Sequence, residues 1–410
     1  MGLTLACGAA RTGFTVTGID VDPERVDDLS RGILSVPGVD PAEFEAGVAT
    51  GSLTFTTETD AVQDADIITI CVPTPLLDRA PDLSHLERAC KEVARQLQPG
   101  CLIVLESTSY PGTTDDVVRS LLEASGLSST RDFLLAYSPE RIDPGNATFG
   151  LRNTPRIVGG LTPEATGVAS LFYRQLVDDV VVVSSTRAAE LAKLLENAFR
   201  HVNIALVNEM AMLCHDMGID IWEVLRATES KPFGFMAFQP GPGVGGHCIP
   251  LDSRYLAWHI RRDAGRAFRM VEEAEEINVQ MPGYVVSRIT EALNESGRSL
   301  KGATILVLGV TYKPNVGDMR ESPALQIMEL LRKRGATVCF HDPFVSRLSL
   351  RDGVHQRTEL TQRTVAGADC VTLVSPHGSY DLQWIAEHAP LVFDTRNAYG
   401  EAQRPNVVRL

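Results

Sequence analysis
The chain is 410 residues long, 44% hydrophobic and 22% charged, a size that calls for two or three cores in a soluble globular protein. A net charge of −14 argues against nucleic acid or an anionic membrane surface as partner, and no run approaches the ~18 apolar residues of a membrane helix. Eight scattered cysteines without a Cys-x-x-Cys pair, and a start without signal-peptide character, read as a reduced, cytoplasmic protein with neither disulfide framework nor metal site.

Strand-like and helix-like segments alternate, the pattern of a parallel α/β sheet with ligands at the carboxyl ends of its strands. Thr15–Ile19 reads as a strand closing on Asp20, and Ile67–Val72 as one closing on Pro73-Thr74-Pro75. Leu102–Leu105 runs into Glu106-Ser107-Thr108, Phe133–Ala136 runs into Ser138-Pro139-Glu140, and Val180–Val183 follows. From Ala188 to about Met217 apolar residues recur at three- and four-residue spacing with no Gly or Pro, a helix long enough to act as a spine between domains and subunits. Further helical pattern reaches about Asn294, and Gly297-Arg298-Ser299 marks a boundary. A second α/β unit has strands at Thr304–Val310, Thr337–Phe340, Val371–Val374 and Leu391–Phe393. Gly13-Phe14-Thr15-Val16 before Asp20 echoes Gly335-Ala336-Thr337-Val338 before Asp342 at the same offset, a sign of duplication. The expected fold is α/β: two Rossmann-like, doubly wound parallel-sheet domains, residues 1–186 and 297–410, joined by a central helical domain, residues 187–296.

Asp20 stands 18 residues after Gly2. A dinucleotide-binding fold places an acid there to hold the adenosine ribose hydroxyls, and such an acid repels a 2′-phosphate, favouring NAD over NADP. The other reading is a turn aspartate opening Asp22-Pro23-Glu24. Gly2 corresponds to the third glycine of the fingerprint. The first strand and first two glycines are missing before it, so the numbered start is expected to be late, leaving two strands with unpaired backbone groups.

Only six lysines (91, 193, 231, 301, 313 and 333) stand against 32 arginines. Where lysine persists in so arginine-rich a chain, a site that needs an ammonium able to lose its proton is one explanation, surface retention the other. Lys193 and Asn197 lie four apart on the long helix and share a face, with Arg200 and His201 on or near it. A lysine there lines a polar pocket or snorkels to solvent. The densest glycine run is Gly241-Pro242-Gly243-Val244-Gly245-Gly246-His247-Cys248-Ile249-Pro250-Leu251-Asp252. Glycines so placed suit a loop where backbone passes close to a ligand, with His247 shaping it. Cys248 within it reads as a nucleophile toward a carbonyl, with Asp252 nearby.

These residues resemble the nucleotide-sugar 6-dehydrogenases, which oxidise UDP-glucose, UDP-N-acetylglucosamine or UDP-N-acetylmannosamine to uronates. The resemblance covers essentially the whole chain through Val72-Pro73-Thr74-Pro75, Glu106-Ser107-Thr108, Ser138-Pro139-Glu140-Arg141, Asn153-Thr154-Pro155-Arg156-Ile157-Val158-Gly159-Gly160, Lys193…Asn197, the Gly-Gly-His-Cys-Ile-Pro loop, Tyr312-Lys313-Pro314-Asn315, Arg320-Glu321-Ser322-Pro323 and Asp394-Thr395-Arg396. It implies an NAD-binding N-terminal domain, a central dimerisation domain and a C-terminal UDP-binding domain, acting as a homodimer on a UDP-sugar. It implies a four-electron oxidation in which Cys248 carries a thiohemiacetal and then a thioester. Lys193 and Asp252 handle water and the developing oxyanion, Asn197 donates a hydrogen bond, and Glu140 and Thr108 position water or substrate. By the same resemblance Gly2, Asp20, Pro73, Thr74 and Thr108 meet the cofactor, while Glu140, Arg141, Lys193, Asn197, Gly245, Lys313 and Arg396 meet the substrate. The cysteine loop and Lys231-Pro232-Phe233-Gly234-Phe235 are most similar to the UDP-N-acetylglucosamine 6-dehydrogenases, whereas Ser253-Arg254 departs from the usual Pro plus aromatic. UDP- or TDP-glucose as substrate, and a non-catalytic nucleotide-sugar-binding protein with impaired NAD binding, are the competing expectations.

Overall fold
The computed structural model describes the chain apart from Met1, Ser35, Pro37, Gly38, Arg79, Pro144, Gly145, Ala147, His247 and Gln403, and describes Cys248 by its backbone alone. It divides into two compact units, residues 1–196 with 254–266 and residues 197–253 with 267–410.

In the first unit, α1 (Gly2–Arg11) leads to β1 (Val16–Ile19), α2 (Pro23–Ser30), α3 (Pro41–Thr50) and β2 (Leu53–Thr56), and β1 pairs with β2 in parallel. Asp22 and Asp40 accept backbone N–H bonds at the starts of α2 and α3, each just before a proline whose missing N–H matters least in a first turn. There follow β3 (Ile67–Ile70), the hairpin β4 (Leu76–Leu77) and β5 (Ala80–Pro81), α4 (Ser84–Gln96), β6 (Leu102–Leu105), α5 (Arg119–Glu123), β7 (Leu134–Tyr137), β8 (Arg156–Gly160), α6 (Pro163–Leu176) and β9 (Val180–Val182). Strands β3-β6-β7-β8-β9 form one sheet, parallel except where β8 runs against β7. Ile103 and Leu105 of β6 join Leu86, Val93 and Leu122 on one face, and Leu102 and Val104 join Ala169, Phe172 and Tyr173 on the other. This two-faced burial is why Leu102–Leu105 is a continuous apolar run. Among the described residues no strand bridges β1 and β3, and β3 is paired on one side only.

The chain passes into the second unit along α7 (Thr186–Asp216), continues through α8 (Ile221–Glu229), and passes back along α9 (Cys248–Ala264). The second unit then holds α10 (Arg269–Glu295), β10 (Thr304–Leu308), α11 (Pro323–Lys333), β11 (Thr337–His341), the hairpin β12 (Arg347–Leu350) and β13 (Gly353–Gln356), α12 (Gln362–Ala366), β14 (Cys370–Leu373), α13 (Leu382–His388), β15 (Val392–Asp394) and β16 (Val407–Arg409). Its sheet, in the order β11-β10-β14-β15-β16, is parallel throughout. Ile305 and Val307 pack with α10 and α11, while Leu306 and Leu308 pack with Val365 and Ile385. Both units are thus sheets with helices on two faces. The echo also has a geometric counterpart: Asp20 and Asp342 each end a strand that follows a helix, α1 then β1 and α11 then β11.

One expectation needs correction. The stretch 241–252 is not loop throughout, because α9 begins at Cys248. Pro250 falls in its first turn, where no intrahelical N–H is required, so the proline does not oppose the helix.

Candidate functional site
The carboxyl ends of the first unit's strands carry most of the expected cofactor residues. A Cβ on Gly2 would stand 3.2 Å from Cys71 Cβ, just beyond β3, so α1 packs against that strand end as closely as a third fingerprint glycine allows. Asp20 ends β1 as expected. Its Oδ1 accepts the Asp22 N–H at 3.0 Å, and its Oδ2 is paired with Arg25 at 2.8 Å. Thr74 is buried and donates to the Thr108 carbonyl at 2.8 Å, tying the turn after β3 to the turn after β6. Tyr255, on the α9 segment that belongs to this unit, donates to the carbonyls of Thr74 at 2.8 Å and Pro75 at 3.1 Å. Pro73 is exposed beside them. These features fit a dinucleotide: a glycine-tight helix start, a strand-end acid and a braced pair of turns.

Deeper in the same unit lies a buried ionic cluster that motif reading did not assemble. Antiparallel β8 sets Gly160 against Ala136 and Gly159 against Tyr137, and continuing that register puts Arg156 opposite Glu140. The Arg156 guanidinium lies 2.6 Å from Glu106 and 3.2 Å from Glu140, donates to Ser138 Oγ at 2.9 Å, and sits 4.9 Å from the centre of the Tyr173 ring. All three charged side chains are at most 4% exposed. Tyr173 donates to Glu106, and the Cys71 thiol reaches the same carboxylate at 3.7 Å. Burial acts to raise Glu140, but Arg156 and the N–H groups of Ile142 and Arg141 hold it below the ordinary carboxylate range. Burial lifts Glu106 above that range despite Arg156. Glu140 is therefore placed as a held carboxylate at a strand end. Arg141 turns to α7, where it forms a two-pronged pair with Glu196 at 2.6 and 3.3 Å and donates to the Pro155 carbonyl.

On α7, Glu190 is buried and accepts from Gly112 N, Thr114 N, Thr114 Oγ1 and Ser109 Oγ, anchoring the helix to the turn beyond Thr108. Desolvation raises its carboxyl to about 7. Lys193 and Asn197 follow and both are buried, whereas Arg200 is exposed and does not share their surroundings. His201, also buried, accepts from Asn278 through its carbonyl.

In the second unit Asn197 donates to Asp252, and both are buried. Asp252 lies one helical turn after Cys248, whose backbone opens α9; His247 lies outside the described residues. The glycine run before them is held from several directions. Gly241 N donates to Asn208 at 2.8 Å, and Asn208 donates to Asn278 at 2.9 Å. A Cβ on Gly241 would come within 2.4 Å of the Arg396 guanidinium, and one on Gly245 within 2.8 Å of Tyr312 and of the Glu321 carbonyl. Close approach, together with φ of +85° at Gly246, explains the glycines. Arg396 follows β15 in a turn whose backbone is held by Asp394, and removal from water lowers its guanidinium to about 10, still charged at neutral pH. Lys313 follows β10, its ammonium 5.8 Å from the centre of the Tyr312 ring.

Each unit is an α/β sheet with candidate ligand groups at its strand ends, braced turns in the first and a glycine loop with cations in the second, the pattern of a nucleotide-binding α/β protein. Three consecutive family models match: the NAD binding domain of the UDP-glucose/GDP-mannose dehydrogenase family over residues 1–177, its central domain over 187–280 and its UDP binding domain over 306–401. The chain belongs to this family of NAD-dependent nucleotide-sugar dehydrogenases. It is 35% identical over 382 residues to a UDP-N-acetyl-D-mannosamine dehydrogenase of Pyrococcus horikoshii, covering 93% of this chain and 88% of that one. It is 35% identical over 413 residues to an NDP-N-acetyl-D-galactosaminuronic acid dehydrogenase of Ralstonia nicotianae, covering 97% and 94%. The solved UDP-D-ManNAc dehydrogenase of Pyrococcus horikoshii superposes with a TM-score of 0.89 at 32% identity, covering 100% of this chain and 96% of that one.

Proposed function
We propose that the chain oxidises the C6 hydroxyl of a UDP-N-acetylhexosamine, UDP-N-acetylmannosamine or UDP-N-acetylglucosamine, to the uronate in two oxidations at Cys248. The observation that carries the reading is the buried Asn197–Asp252 pair, which fixes a carboxylate one turn after Cys248. Position 248 opens α9, and the free N–H groups of a first helical turn favour an anion there. NAD supplies the hydride acceptor for both oxidations. In the first, C6 loses a hydride and its hydroxyl proton passes to the water held by Asp252, giving an aldehyde. The Cys248 thiolate then adds to the carbonyl carbon, and Lys193 balances the oxyanion that forms. Loss of the second hydride leaves a thioester, which water cleaves to a carboxylate and the free thiol, with Asp252 deprotonating that water; Glu140, already paired with Arg156, serves to position substrate. Lys193 suits its part because it is buried on an apolar helix and makes no hydrogen bond or ion pair with the described residues. Lys313 and Arg396 hold the UDP moiety, and Gly2, Asp20, Thr74 and Thr108 the cofactor.

The names of the relatives from Pyrococcus and Ralstonia favour an N-acetylhexosamine over glucose. An outward apolar stripe on α7, including Leu191, Leu195, Phe199, Leu206 and Leu213, supports the homodimer. No helix among the described residues is long and apolar enough to cross a membrane. Turnover of UDP-N-acetylmannosamine, UDP-N-acetylglucosamine, UDP-glucose and TDP-glucose side by side tests the substrate. The N-acetylhexosamines should lead in kcat/KM, and a lead for either glucose nucleotide would overturn the assignment.

A further inference from the structure
His377 is fully buried just after β14, where it touches the loops that follow three strands. Its Nδ1 lies 2.9 Å from the Asn315 N, and its Nε2 lies 2.9 Å from Asp342 Oδ2 and 3.3 Å from Thr311 Oγ1. A backbone N–H only donates, so Nδ1 carries the lone pair and Nε2 the hydrogen. That hydrogen goes to Asp342, whose carboxylate also accepts Val310 N at 2.8 Å and Phe344 N at 2.8 Å, while Thr311 Oγ1 is free to donate to the Lys313 carbonyl at 3.0 Å. Asn315 has a φ of +61°, a conformation asparagine tolerates, and its side-chain oxygen accepts Gly378 N at 2.9 Å. Ser375 donates to the Thr311 carbonyl. The Thr311–Asn315 turn is therefore tied at both ends to residues 375–378, and Lys313 lies within it. Asp342 is the counterpart of Asp20 in the echo, yet it is buried and fully engaged, so in this unit the strand-end acid serves the turn and not a ribose.

We propose that His377 is a positioning residue for a nucleoside diphosphate, holding the turn that presents Lys313 through the single lone pair on Nδ1. This rests on the reading of the C-terminal segment as the UDP site. Ligands of parallel sheets sit at the strand ends where this turn lies, and an ammonium fixed there meets a diphosphate without first having to be ordered.

The test separates the two ring nitrogens. His377→Asn places an amide oxygen where Nδ1 stands and retains the bond to Asn315; His377→Gln places its amide near Nε2, retaining Asp342 and losing Asn315. Titration of the full chain with UDP by calorimetry is expected to show affinity within about threefold of the parent for His377→Asn and a loss of about tenfold or more for His377→Gln, with NAD affinity unchanged in both. Equal UDP affinity in both variants and the parent overturns the proposal. In the unsubstituted protein, which removes any question of folding, hydrogen exchange of the 311–316 segment should be slow and slower still with UDP; exchange at open-loop rates unaffected by UDP also overturns it. A parent chain that binds no UDP overturns the underlying reading instead, and this proposal with it.

Discussion
Arg156→Met is the substitution that most sharply probes how the first unit is built. The guanidinium is shared by two carboxylates at 2.6 and 3.2 Å in a cluster shut away from water. Removing it leaves Glu106 with Tyr173 and the Cys71 thiol, and Glu140 with the backbone N–H groups of Arg141 and Ile142, as their described hydrogen-bond partners. Breaking a buried pair by deleting one member costs about 3–5 kcal/mol, because the remaining charge loses its compensation. The cost depends on pH in a definite sense. Burial already holds Glu106 above its unfolded value with Arg156 present, and deleting Arg156 pushes both carboxyls up, so the folded state holds protons that the unfolded state releases. Their contribution is retained below the unfolded carboxyl pKa and lost as pH rises through the folded one. The deficit should therefore be larger at pH 8 than at pH 5.5. Adding Glu106→Gln and Glu140→Gln to Arg156→Met should recover most of the loss, since a neutral cluster has no charge left to compensate. Urea titration by circular dichroism, with hydrogen exchange of the β6 to β8 amides to locate the change, measures this. A single substitution within about 1 kcal/mol of the parent at pH 8 would refute the reasoning.

Three further outcomes are expected. Glu190 has its folded carboxyl raised to about 7 from 4.5 by burial, so its contribution is complete below about 4.5 and lost as pH rises through 7; Glu190→Gln should remove a pH dependence of roughly 3 kcal/mol, seen in the difference between parent and variant stability from pH 4.5 to 8. Lys193→Ala should lower kcat by about a hundredfold or more while leaving the thermal midpoint equal or higher, because it removes an ammonium that is buried without a described partner; a large fall in stability with kcat intact would assign Lys193 to the scaffold. Arg396→Met should weaken UDP by about ten- to a hundredfold and leave NAD binding alone, as calorimetry would show.

The parts of this molecule visible in its sequence are those where one local signal suffices. Leu102–Leu105 is apolar at every position because β6 is covered on both faces, and α7 shows unbroken helical spacing over 31 residues. β2 was not visible: Leu-Thr-Phe-Thr is short and borders only β1 in the sheet. β8 hides for a different reason, since it opens on a buried arginine and closes on two glycines. Those glycines are demanded by neighbours that a strand pattern does not show, Ser185 against Gly159 and Thr166, in the first turn of α6, against Gly160. The Glu106–Arg156–Glu140 cluster depends on that antiparallel strand, so its members could be quoted as motif letters without their pairing being legible. The same holds for His377 and Asp342, which meet only through the order β11-β10-β14. The glycine-rich run misled in the other direction: its composition argued for loop, yet the helix starts at Cys248 because a first turn accepts Pro250.

A cysteine-dependent double oxidation is tested most directly by the ratio of NADH formed to uronate formed, with UDP-N-acetylmannosamine as substrate, for the parent and for Cys248→Ser. The parent should form two NADH per uronate, and the variant should stall before free uronate is released. One NADH per sugar, or undiminished uronate from Cys248→Ser, would contradict it.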